Sequence, residues 1–133
     1  MTGLRRYFLG FLVIGALAGC AAQGPAPQEG ERFLVYFDEF SANITPQAQS
    51  VIDEAAAKAK ATGAKAIRIE AHASATGSTA ANQKLTETRA QVVADALQKD
   101  GIDPGMVHQV AAGQTPTGDT SVADRRVDVV LER

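Results

Sequence analysis

Four short stretches of this chain read as strands, and apolar residues recur at helical spacing along two longer ones. The first stretch, Arg32 to Phe37, is rich in strand-forming residues and stops at Asp38. Thr45-Pro46 then opens a helix, with threonine as N-cap and proline in the first turn. Ala48, Val51, Ile52, Ala55 and Ala59 share one face of it, and Gly63 ends it. Ala66 to His72 sets Ile67, Ile69 and Ala71 against Arg68 and Glu70, the period of a half-buried strand. A second helix lies within Thr79 to Asp100, with Leu85, Val92, Val93, Ala96 and Leu97 as its stripe and Gly101 closing it. Met106 to Ala112 is a weaker third strand, with His108 as a surface histidine. Arg125 to Glu132 is the fourth strand, with Val127, Val129 and Leu131 on one face.

The order β-α-β-α-β-β predicts an α/β (α+β) sandwich: a mixed four-stranded sheet with two slim, alanine-rich helices on one face. Strand–helix–strand connections give parallel strands with right-handed crossovers, so the first three strands run alike. The fourth follows a loop with no helical pattern and runs antiparallel to them. Asp38, His72 to Ser78, Gly113 to Ala123 and Asp124-Arg125 then gather at one sheet edge. Ligands of open α/β sheets favour that carboxyl edge. The loop there, His72 to Ala81, contains no carboxylate.

With 133 residues there is room for one domain, residues 32–133, and the ends belong to something else. Residues 1–19 read as a secretory signal: Arg5 and Arg6 precede an apolar run from Tyr7 to Ala18 that is too short for a comfortable membrane span. Leu17-Ala18-Gly19-Cys20 resembles the lipobox of bacterial lipoproteins, which implies cleavage before Cys20 and lipidation of its sulfur and new amino terminus. The alternative is an ordinary signal peptide with a cysteine at its cleavage site. Cys20 is the chain's one cysteine, so no intramolecular disulfide competes for it. Each buried lipid methylene contributes about 0.8 kcal/mol, so several chains make a lasting anchor. Ala21 and Ala22 follow without an aspartate, which by resemblance to Gram-negative sorting rules implies the outer membrane, facing the periplasm. Residues 20–31, rich in proline, glycine and glutamine, read as a tether. The remaining chain is mildly acidic, with no basic face for nucleic acid.

Three blocks carry a family resemblance: VYFDEFSANITPQAQ, IEAHASATGSTAANQKLTETRAQVVADAL and ADRRVDVVL. Their order and spacing resemble the OmpA-like domain of outer-membrane porins, flagellar stator proteins and the peptidoglycan-associated lipoprotein. The resemblance implies non-covalent binding of peptidoglycan at the diaminopimelate of its stem peptide, tethering the outer membrane to the cell wall. That ligand is a zwitterion, asking for an arginine to take a carboxylate through parallel hydrogen bonds and an acid to take the ammonium. By resemblance, the helix arginine falls on Arg89, the asparagine before it on Asn82, the paired arginines on Arg125 and Arg126, and the strand-end aspartate on Asp38. The ligand-binding aspartate falls on Ser74, so that carboxylate is missing. Asn82 reads as a tie between the loop and the helix start.

Other departures are Phe40 at a usually small polar site, Ala73 for threonine, and a short loop from Gly113 to Asp124. A hydroxyl in place of a carboxylate gives up about 1–2 kcal/mol, or roughly five- to thirty-fold in affinity. Asp124, where the family has asparagine, either restores some negative charge or pairs with Arg125 or caps the loop. Arg89 itself, from spacing alone, could instead be a surface group engaged by Glu70 or Glu87. A second function class is a domain that has lost its ligand and serves as a periplasmic protein-interaction or envelope-assembly subunit. No enzyme is expected: His72 and Ser74 are near in sequence, but no catalytic signature surrounds them. Two distant histidines make no metal site, and no cofactor is implied.

Overall fold

The computed structural model describes residues 29–115 and 122–133. The signal at 1–19, Cys20, the tether as far as residue 28 and part of the last loop lie outside them. The elements are β1 (Glu29–Tyr36), α1 (Pro46–Thr62), β2 (Ala66–Ala73), α2 (Thr79–Lys99), β3 (Val107–Gln114) and β4 (Arg126–Glu132). They form one mixed four-stranded sheet of order β1-β4-β2-β3. β2 and β3 are parallel and β4 runs antiparallel, as the connectivity predicts; β4 lies between β1 and β2.

Local chemistry sets the helix ends. The Thr45 hydroxyl accepts from the Ala48 amide at 3.1 Å, Pro46 occupies the first turn, and Gly63 closes α1 at φ 63°. For α2 the N-cap is Ser78, accepting from the Ala81 amide at 3.1 Å. The core lies between helices and sheet: Ile52, Ala55, Ala56 and Ala59 of α1 and Ala90, Val93, Ala94 and Leu97 of α2 meet Val35, Ile67, Ile69, Val127 and Val129. Alanine at the helix contacts keeps both helices near the strands, leaving little room to re-form the core around a larger side chain.

Two details differ from the pattern reading. β1 begins at Glu29, three residues before Arg32, through an irregular pairing between Glu29 and Arg32. At Gly30 a Cβ would lie 2.4 Å from the Leu131 carbonyl oxygen, so the close approach of backbones there requires glycine. β4 is buried on both faces, not one: Val127 to Leu131 are each at most 2% exposed. Its central position explains this. Val130, on the face away from the helices, is flanked by Arg32 of β1 and Arg68 of β2, whose aliphatic stems can cover it.

Candidate functional site

The ends of β1 and β2 and the start of β4 meet at one sheet edge. Tyr36 pairs with Arg126, Ala71 with Val127, and the Phe37 amide donates to the Arg125 carbonyl at 2.9 Å. A register slip after Ala71 pairs His72 with Gly113, which adopts φ 68°, and so reshapes the edge beside the His72–Ala81 loop.

Arg89 reaches this edge from the middle of α2. Its side chain is completely buried. Nε donates to the Ser41 carbonyl at 2.8 Å, Nη1 to the His72 carbonyl at 3.1 Å and Nη2 to the Asp38 carbonyl at 2.9 Å. The guanidinium lies 5.1 Å from the Phe37 ring centroid, within cation–π range. Neither Glu70 nor Glu87 engages it. Glu70 sits with Arg68 and Arg32, and Glu87 with Lys84 at 3.2 Å. Arg89 thus ties the ends of β1 and β2 to α2 through backbone oxygens, which bring partial negative charge, with no counter-ion among the described residues.

Burial first, and then the Arg125 charge, push the Arg89 guanidinium down to about 10, so it remains charged at neutral pH. The side-chain charge acting on it is therefore a second cation. Strand alternation explains why Arg125 faces this side while Arg126 and Asp128 face the other. Arg125 is half-buried, and its Nε is buried with no hydrogen-bond partner among the described residues.

The other predicted site residues divide between the two faces. Ser74 is buried, its hydroxyl 3.4 Å from that of Thr76. Asn82 Nδ2 donates to the Ser74 carbonyl at 3.2 Å and to the Thr76 carbonyl at 2.9 Å, tying the loop to α2 as the sequence implies. The Asp38 side chain is exposed, and it is the carbonyl of this residue that holds Arg89. Asp124 is buried, with Arg126 Nη1 3.8 Å away. Phe40, 65% exposed, is the one non-glycine residue with positive φ among those described, at 54°. It lies between the two β1-side carbonyls that accept from Arg89, where a bulky residue in this conformation marks local strain. The carbonyls of Ser41 and His72 were not legible as site parts, because backbone acceptors leave no residue-type signature.

On the open sheet face a charged lattice backs the site. Asp128, 1% exposed, accepts from Arg32 Nη1 at 2.7 Å and Arg126 Nε at 2.9 Å. His72 joins it from β2, with Nε2 3.9 Å from Asp128 and lacking a hydrogen-bond partner among the described residues. Glu70, His72 and Asp128 bring ligand atoms within 4.8 Å of one another, but Arg32, Arg68 and Arg126 already engage the carboxylates. A divalent ion there would face three guanidiniums, the wrong charge for a metal centre.

Burial and the Arg126 charge hold the His72 imidazole below its usual 6.5, with Asp128 opposing and Arg32 adding. Unfolding then takes up a proton as pH falls below about 6.5, so this share of stability is present above that pH and is lost on acidification. Urea midpoints should fall between pH 7 and pH 5 in the native protein and fall less in His72→Gln. An identical pH dependence in the two would remove His72 as the cause.

Residues 36–128 match the sequence profile of the OmpA family. The chain is 27% identical over 116 residues to outer membrane protein A of Bordetella avium, spanning 80% of this chain and 60% of that protein. In structure it is similar to the OmpA-like domain of FopA1 from Francisella tularensis, with TM-score 0.67 and 20% identity over 76% of this chain and 71% of that one. It is also similar to the peptidoglycan-associated lipoprotein of Burkholderia pseudomallei, with TM-score 0.66 and 24% identity over 76% and 90%. The periplasmic domain of Helicobacter pylori MotB gives 0.66 and 16% over 84% and 82%. At such identities the structural likenesses speak for the fold alone. That fold, and a profile matched from the end of β1 into β4, make this chain a member of the OmpA family.

Proposed function

We propose that this chain is an outer-membrane lipoprotein, anchored through Cys20 after loss of residues 1–19, whose domain binds peptidoglycan and tethers the membrane to the wall. The observation that carries the reading is Arg89: a buried cation held by three carbonyls, with a second cation beside it and no acid acting on it among the described residues. A guanidinium has five N–H donors, and two of those on Arg89 remain for a ligand carboxylate. Since the side chain is fully covered, the carboxylate enters as a covering group moves. Arg125, with its unpartnered Nε, is suited to swing aside and share the anion. The B. pseudomallei relative is by name associated with peptidoglycan, and the B. avium relative with the outer membrane.

In this reading the carboxylate belongs to the diaminopimelate of a wall peptide. Arg89 and Arg125 bind it, Ser74 offers a hydroxyl, and Asn82 and the Asp38 carbonyl hold the frame. Asp124 serves the open-face network with Arg126. No catalytic step is assigned, because the hydroxyl contact of Ser74 is Thr76 while the His72 ring reaches toward Asp128. Ser74 in place of an acid favours the second reading, a domain that binds a periplasmic protein partner instead. Co-sedimentation of the protein with purified sacculi separates them. Retention that free diaminopimelate competes away supports wall binding, and absence of retention supports the protein-partner reading.

A further inference from the structure

The charges around the cleft do not match a zwitterion. Arg89 and Arg125 are both cationic, and the loop facing them, His72 to Ala81, has no carboxylate. Among the described residues the nearby acids are committed elsewhere or exposed: Asp128 is held by Arg32 and Arg126, Asp124 lies by Arg126, and the Asp38 and Glu39 side chains are exposed. A ligand carboxylate suits this site, but an ammonium a few ångströms from that carboxylate would sit near two guanidiniums with only neutral oxygens among the described residues to meet it. An amide nitrogen in the same place carries no charge, and its N–H can donate to the buried Ser74 hydroxyl, whose contact with Thr76 is a long 3.4 Å.

Building on the wall-binding reading, we infer that the cleft selects a carboxylate ligand whose neighbouring nitrogen is acylated rather than a free ammonium. A side-chain amine that has been joined through an amide to another peptide is in this state. Ser74 is then the specificity-determining residue, and its hydroxyl fits the site to joined peptides over unjoined ones.

The test is calorimetric titration of the full chain with a diaminopimelate-containing tripeptide, its side-chain amine either free or N-acetylated. The native protein is expected to bind the acetylated form more tightly, by roughly five-fold or more, the ratio between a matched neutral hydrogen bond and an uncompensated charge. Ser74→Asp is expected to reverse the order. The comparison in the native protein needs no substitution, so it stands even if an aspartate at this buried position disturbs folding. Equal affinity, or preference for the free amine, overturns the inference while leaving wall binding intact. No binding of either peptide overturns it too, and sacculus retention then shows whether the wall-binding reading falls with it.

Discussion

Arg89→Leu is expected to lower the unfolding free energy by about 3–5 kcal/mol and to abolish retention on sacculi. Leucine fills much of the same volume but leaves the carbonyls of Asp38, Ser41 and His72 without a donor at a buried site. Each bare acceptor costs about 1–3 kcal/mol, partly offset because burying a cation is itself costly. Against a typical domain stability of about 5–15 kcal/mol the loss is large. Arg89→Lys separates folding from binding. A lysine keeps the charge, but its three donors radiate from one point and cannot reach three carbonyls set around a planar fork. It should recover part of the stability in urea titrations and little of the sacculus binding. If Arg89→Leu unfolds at the native urea concentration, the carbonyl clamp is not what joins β1, β2 and α2.

Asp128→Ala has the next largest expected effect, about 2–3 kcal/mol, placed below the usual cost of breaking a buried pair because its partners are partly exposed. The Asp128 side chain is 2% exposed and bonds two guanidiniums, while the Arg32 and Arg126 side chains are 41% and 26% exposed. Asp128→Asn keeps an acceptor and the shape, so it should lose about half as much in equilibrium urea unfolding. This acid lies on the face opposite Arg89, so either variant should keep its ligand preference wherever it remains folded. A change in that preference would mean that the open-face lattice reaches through β2 and His72 to the cleft.

Most of the fold was legible because its signals are local. Thr45-Pro46, Gly63, the alternation around Ile67 and Ile69, and the alanine-rich helix faces state element type and ends without reference to neighbours. Direction followed from connection length, since a helix between strands returns the chain to the same end of the sheet. What depended on neighbours was less legible. β4 reads as half-buried until its central position, between two arginine-bearing strands, covers the second face. Arg89 illustrates the same limit at the site. Its spacing suits a surface arginine on α2, and its acceptors are backbone oxygens on two other elements. The division between Arg125 and Arg126 was implicit in strand alternation, whereas the Arg125 Nε, without a partner among the described residues, depends on how the strand ends meet.

The direction of β1 has a mechanical consequence. The strand enters at Glu29, opposite Glu132, and its eight residues carry the chain roughly 25 Å to the edge where Asp38 and Ser41 grip Arg89. Tension between a ligand held there and the amino-terminal side of the domain would run lengthwise down this strand. Its ladder bonds to β4 lie across that direction, so they would be loaded in shear, many at once, rather than peeled one by one.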